Sequence, residues 1–238
     1  MRGYVHSFES LAAVDGLGIR CAVFLSGCPL RCAYCHNPDT WNRGGTEFEP
    51  EALVKKIARY KPYFKKDGGV TFSGGEPLCQ AEFIRACIPF LDSAEINYAI
   101  DTSGAVPLDD DVKTVLENAQ TVILDLKFAD NGRYKMYTGV GIDRTLETLR
   151  YLESIGKDTW IRTVIVPEVN DSEAEIEKYT ELINGFSCVK RYELLGFHTM
   201  GFFKYEKLGV ENPFKGKTAL DGTVLQRLQK FADKKLNI

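Results

Sequence analysis

Apolar positions along this chain alternate between two rhythms. The stretches 20–25 (RCAVFL), 69–72, 97–101 (NYAID), 121–127 (TVILDLK), 159–166 (TWIRTVIV) and 189–195 (VKRYELL) read as short strands, several of them near-continuous apolar runs rich in β-branched residues. Between and after them, 50–60, 81–91, 109–118, 143–155, 172–183 and 218–235 carry apolar residues at helical spacing. Pro50 suits a first helical turn, and Asp143 and Gly156 bracket the fourth helix as start and stop residues. Apolar strands separated by amphipathic helices predict a parallel sheet covered on its outer face. Periodicity by itself fits either a parallel barrel or an open doubly wound sheet. No linker, repeat or low-complexity tract interrupts the pattern, so 1–238 reads as a single domain.

Composition narrows this only a little. Apolar residues make up 44% and charged residues 26% of the chain, ordinary values for a globular protein. A net charge of −3 offers no general attraction to nucleic acid or anionic membrane. No 18-residue apolar run appears, and the start, 1–7, lacks the apolar core of a signal peptide, so a cytoplasmic location and no membrane partner are expected.

Cysteine changes the picture. Seven cysteines make an odd number for a disulfide framework. Cys21, Cys79, Cys87 and Cys188 are dispersed and read as small buried hydrophobes. Cys28, Cys32 and Cys35 instead form a C-x3-C-x2-C run in a loop, 26–37, that opens with Gly27 and Pro29. Clustered thiolates are soft anionic ligands suited to iron–sulfur clusters, zinc or Cu(I). A [4Fe-4S] cube held by three cysteines leaves one iron open to a further ligand. Zinc would want a fourth protein ligand, for which His36 is adjacent.

Unusual polar residues also gather at predicted strand ends. The three cysteines follow the first strand, Gly74, Gly75 and Glu76 the second, and Asp101 and Thr102 close the third. Asp125 and Lys127 close the fourth, Arg162 lies within the fifth, and His198 follows the sixth. In a parallel barrel such positions share the functional rim. Each also has a plainer reading. Gly-Gly and Asp15-Gly16 are common turn pairs, Lys127 beside Asp125 could be a surface ion pair, Asp101 a helix cap, and a lone His198 a structural residue.

The cysteine run with aromatic Tyr34 before its last member resembles the signature of the radical S-adenosylmethionine (SAM) enzymes. The flanking stretches His6-Ser7-Phe8-Glu9-Ser10, Val14-Asp15-Gly16-Leu17-Gly18-Ile19-Arg20 and Tyr34-Cys35-His36-Asn37 are similar to those of the glycyl-radical-enzyme activases. The likeness runs from about Val5 to about Tyr205 and is strongest to the compact type that acts on pyruvate formate-lyase. Only 38 residues, none a cysteine, separate Cys35 from Gly74, which leaves no room for the cysteine-rich insert of other activases.

The resemblance implies a partial (β/α)6 TIM-like barrel of the radical SAM type. It implies that Cys28, Cys32 and Cys35 hold one [4Fe-4S] cluster whose open iron binds SAM. Gly74, Gly75 and Glu76 would lie at the methionyl amine. Asp125, Leu126 and Lys127 would lie against SAM, with Lys127 at its carboxylate. Tyr34 would sit near the adenine, and Cys35, His36, Arg162 and His198 would complete the SAM contacts. The family's Leu-Leu-Pro-aromatic-His stretch has Gly196 in place of proline here. Asp101 and Thr102 would serve a monovalent cation, and Asp15 the partner's glycine loop. One electron, from flavodoxin or ferredoxin, would cleave SAM to methionine and a 5′-deoxyadenosyl radical, which takes hydrogen from a backbone glycine of the partner. The protein would act as a monomer. Two rival readings remain on sequence: a radical SAM enzyme for another substrate, such as the activase of anaerobic ribonucleotide reductase, and a zinc-stabilised binding module.

Overall fold

A computed structural model describes residues 1–238. The chain divides into two compact units, one of residues 1–29 and 40–123, the other of 30–39 and 124–238.

The first unit begins with a strand that the sequence pattern did not suggest. Strand β1 (Gly3–Ala12) mixes buried, half-buried and exposed residues, and its interspersed His6, Ser7, Glu9 and Ser10 hide the strand period. It pairs antiparallel with β2 (Arg20–Leu25) and with the short β3 (Thr46–Phe48), so the stretch expected to be the first strand is the second. Antiparallel strands with one wet face carry this mixed composition, whereas β2 is buried at nearly every position, as a central parallel strand should be. Helices α1 (Pro50–Ala58, with Pro50 in its first turn) and α2 (Lys61–Phe64) lead to β4 (Gly69–Gly74). A 3-10 turn at Pro77–Gln80 opens α3 (Ala81–Ser93), followed by β5 (Tyr98–Thr102) and α4 (Asp110–Asn118), whose amino end is capped by the Asp109 carboxylate accepting from Val112 N at 2.9 Å. Strand β6 (Thr121–Asp125) is shared by both units. The order in this unit is β3-β1-β2-β4-β5-β6, with β2, β4 and β5 parallel.

In the second unit the order is β6-β7-β8, and β7 (Thr159–Ile165) and β8 (Val189–Gly196) are parallel. Helices α6 (Asp143–Ser154) and α7 (Glu173–Ile183) follow the expected pattern. Ser172 caps α7, but Asp143 is the first helical residue rather than a cap, since Ile142 holds the cap position with no side-chain bond. Gly156 does take the left-handed conformation, at φ 61°, just beyond α6. The last helix, α9 (Gly222–Lys235), starts four residues later than 218, where Asp221 accepts from Thr223 N and Val224 N. Three helices were not foreseen, the first being the single turn of α2. Helix α5 (Asn131–Thr138) buries only Tyr134 and Thr138, too few to set a period, and α8 (Phe202–Leu208) is two turns long. No helix is long and apolar enough to cross a membrane.

Candidate functional site

In the first unit the expected residues cluster at the carboxyl ends of β2, β4 and β5. Ser26, Gly27 and Cys28 leave β2 with Gly27 N and Cys28 N donating to Thr40 O (2.7 Å) and Trp41 O (3.0 Å). The Gly74-Gly75 pair lies against this start of the cysteine loop. Gly74 adopts φ 117°, and a Cβ on Gly75 would stand 2.5 Å from Gly27 O and 2.9 Å from Thr40 O. Gly75 N and Glu76 N donate to Leu25 O (2.9 Å) and Gly27 O (2.8 Å). The bare backbone here is thus required by the protein's own chain crossing, a reason additional to any ligand.

Glu76 is fully buried, and its carboxylate accepts from Leu78 N (3.1 Å), Thr102 Oγ1 (2.6 Å), Ser103 N (2.8 Å) and Ser103 Oγ. Burial pushes its carboxyl above the usual range while hydrogen bonds from Ser103, Thr102 and Leu78 pull the other way. The side chain therefore ties the β4 turn to the β5 turn. Asp101 accepts from Ser73 Oγ at 2.8 Å. Ser73 and Thr71 share one face of β4 by alternation. Thr71 Oγ1 donates to Asp15 O and accepts from the buried Arg20 Nε at 2.7 Å. Asp15 is thereby held two strand positions, roughly 7 Å, toward the amino end from the Ser73–Asp101 pair.

The second unit gathers the rest. Residues 31–33 of the cysteine loop are held by carbonyls at the end of α5: Arg31 N donates to Thr138 O and Ala33 N to Tyr137 O, both at 2.8 Å. Cys35 N turns back onto Cys32 O at 3.0 Å. Tyr34 points inward against Phe128 and Phe214, with ring centroids 6.3 Å away in each case. Its hydroxyl is buried and has no hydrogen-bond partner. Leu126 and Lys127 lie just past the end of β6, which is shorter than the expected 121–127. Leu126 N donates to Arg162 O at 2.8 Å, and Leu126 O accepts from Thr163 Oγ1 at 2.9 Å. Lys127 pairs with Asp125. Burial opposes its charge, but the Asp125 carboxylate, the Cys32 thiolate and Tyr34 together hold its pKa well above the ordinary value. Arg162 is buried, and its Nε donates to Glu193 Oε2 at 2.8 Å.

The rings of His36 and His198 stack at 3.7 Å and 8°, with Phe197 behind His36 at 5.9 Å. Burial, then the His198 ring beside it, lowers His36 to about 4, so the ring is neutral at pH 7. Its Nε2 lies 2.9 Å from His198 O, and a carbonyl can only accept, so Nε2 carries the proton. His198 Nδ1 is buried with no partner.

Sequence reasoning missed the aromatic surround of Phe128, Phe197 and Phe214, and the polar partners Ser73, Ser103 and Thr163. Ser73 and Phe197 adjoin quoted motifs and could have been found from them. Phe214 carries no local signal. The donor set fits a soft metal cluster and a polar organic ligand. The three cysteines are half-buried thiols, and the orphaned Tyr34 hydroxyl and His198 Nδ1 call for partners from outside the protein. No three His, Cys, Asp or Glu side chains are drawn into a cage for a single ion.

The family model of the radical SAM superfamily matches residues 22–179. The chain is 44% identical over 231 residues to the pyruvate formate-lyase-activating enzyme of Clostridium pasteurianum, covering 96% of each chain. It is 37% identical over 218 residues to that of Staphylococcus epidermidis, covering 88% of this chain and 87% of the relative. Among solved structures, Streptococcus suis SuiB bound to precursor peptide SuiA superposes on 90% of this chain and 45% of its own, with a TM-score of 0.70 at 18% identity. A domain of pyruvate-formate lyase-activating enzyme from Bacteroides vulgatus superposes on 71% of this chain and 94% of its own, with a TM-score of 0.57 at 22% identity. These structural likenesses carry the fold alone.

Proposed function

This chain belongs to the radical SAM superfamily and has its α/β fold, and from that premise we propose that it activates pyruvate formate-lyase by installing a radical on a backbone glycine of that enzyme. The observation that carries the reading is the near-full-length match to relatives named for that activity, joined to the spacing of Cys28, Cys32 and Cys35. The three cysteines hold a [4Fe-4S] cluster, and SAM binds beside it. Together these groups supply a one-electron reductive cleavage that ends in removal of a hydrogen atom from the partner's glycine.

The chain's own residues bind and orient. The turn of Gly74, Gly75 and Glu76 receives the methionyl amine, with the Glu76 carboxylate fixing the turn rather than touching the ligand. Lys127, kept charged by Asp125, would meet the SAM carboxylate, and Leu126 fixes the backbone before it through Arg162 O and Thr163 Oγ1. Tyr34 closes the adenine side, where the buried Phe128 excludes water. Neutral His36 and His198 present a flat stacked surface, and His198 Nδ1 accepts from a ligand donor. Arg162, held by Glu193, acts through the Leu126 backbone that it supports. Asp101 and Thr102 serve a monovalent cation, and Asp15 meets the incoming glycine segment. Flavodoxin or ferredoxin delivers the electron, and the protein works as a monomer in the cytoplasm, where cysteines outside disulfides stay reduced.

The test is anaerobic reconstitution with iron and sulfide, followed by reductant, SAM and purified pyruvate formate-lyase. A glycyl radical in the electron paramagnetic resonance spectrum, with 5′-deoxyadenosine released, is the expected result. Release of 5′-deoxyadenosine without that radical, and radical formation on anaerobic ribonucleotide reductase instead, would reassign the partner. Zinc without acid-labile sulfide would overturn the reading.

A further inference from the structure

The cysteine loop is held on its far side by a helix that no motif announces. Gly201, Lys204 and Tyr205 are spaced i, i+3, i+4, so they share one face at the start of α8. All three touch the stretch that begins at Cys35. A Cβ on Gly201 would stand 2.6 Å from His36 O and 3.0 Å from His36 Cα, so the two backbones are in direct contact. The Tyr205 hydroxyl, buried at 1% exposure, donates to Cys35 O at 3.0 Å. Lys204 Nζ donates to Asn37 Oδ1 at 2.7 Å and pairs with Asp39 Oδ1 at 3.0 Å. The α5 carbonyls described above hold residues 31–33, so α8 supplies the support for 35–39.

We propose that α8 is the clamp of the cluster loop and that Tyr205 and Lys204 are positioning residues that hold Cys35 and the turn after it in the ligating geometry. This rests on the reading that Cys28, Cys32 and Cys35 hold the cluster. A thiolate can stay on its iron only while its backbone stays in place. Tyr205 pins the carbonyl of the ligating residue itself. Lys204 pins the two side chains two and four residues beyond, and the glycine at 201 lets the helix come close enough to do both. Without the Tyr205 hydroxyl, Cys35 O loses its donor from α8, and the loop opens more often.

The experiment compares reconstituted wild-type protein with Y205F, K204M and K204R, measuring anaerobic iron release to a ferrous chelator, and the rate of Cys35 alkylation in the cluster-free form. Y98F is the control, because Tyr98 is also buried and donates to a backbone carbonyl, Val115 O, at 2.8 Å. Y205F and K204M are expected to release iron roughly fivefold to tenfold faster and to alkylate faster at Cys35. K204R should stay near wild type, since it keeps the charge on Asp39. Y98F should lose a similar amount of urea resistance yet release iron at the wild-type rate. Wild-type release in both Y205F and K204M would overturn the clamp. So would acceleration in Y98F equal to that in Y205F, which would make the effect a matter of general stability. Failure of the wild-type protein to take up iron and sulfide at all would instead sink the cluster reading.

Discussion

Replacing Glu76 with alanine removes a wholly buried carboxylate that accepts four hydrogen bonds, two of them from the backbone groups Leu78 N and Ser103 N. The hydroxyl donors can turn to other acceptors, but the two amides cannot. Each buried N–H left unpaired costs about 1–3 kcal/mol, and the carboxylate's own burial penalty, now relieved, offsets part of the sum. The expected net loss is about 3 kcal/mol for E76A and about 1–2 kcal/mol for E76Q, whose single amide oxygen can serve only some of the donors. The assay is urea unfolding of cluster-free protein, read as a shift of the midpoint at constant slope. Because the same carboxylate ties Gly75 to Ser103, E76A should also raise the KM for SAM more than it lowers kcat. A loss below about 1 kcal/mol in E76A would refute the reasoning, since it would mean those four bonds do not outweigh the cost of burying the charge.

Three further substitutions probe other parts of the structure. H198F keeps a ring to stack on His36 but deletes the unpartnered Nδ1, so the thermal midpoint should hold while the KM for SAM rises about tenfold; an unchanged KM would remove His198 from the site. G75A forces a Cβ against Gly27 O and Thr40 O and should cost about 1–3 kcal/mol in urea unfolding, with no loss meaning the crossing can relax. Glu153 accepts from Cys188 N and Ser187 Oγ, which hold its carboxyl at about 2, below the ordinary 4.5. A lowered carboxyl stabilises the folded state above its unfolded pKa, so wild type should exceed E153Q fully above about pH 5, and the gap should close as pH falls toward 2; a gap that does not vary between pH 7 and pH 3 would contradict this.

The parts of the fold that sequence made legible are those where burial is nearly total. Strand β2 has the bounds expected because RCAVFL is buried on both faces and leaves no other period to choose. Strand β1 was illegible for the opposite reason, since His6, Ser7, Glu9 and Ser10 face outward or lie half-covered and break the apolar run. At the site, the letters pick out the motif residues but not the direction of their side chains. Glu76 and Arg162 look like ligand groups in a string of letters, yet their charges are met by Thr102, Ser103 and Glu193. Long-range partners such as Phe214 and Tyr205 leave no local trace, because contact with residue 34 or 35 is a property of the folded chain alone.

Lys204 stands 167 positions after Asn37 and Tyr205 170 after Cys35, and these separations also set an order of events during synthesis. A ribosome adding about 5–20 residues per second delivers the cysteine loop some ten to thirty seconds before the helix that grips it. Throughout that interval Thr40, Trp41 and the α5 carbonyls can already hold residues 27–33, but the stretch 35–39 lacks the helix that grips it. Iron offered to the nascent chain would meet a loop whose last cysteine can still wander, so durable loading belongs to the finished polypeptide, and a chain that stalls before residue 205 would leave Cys35 and the turn after it without their grip.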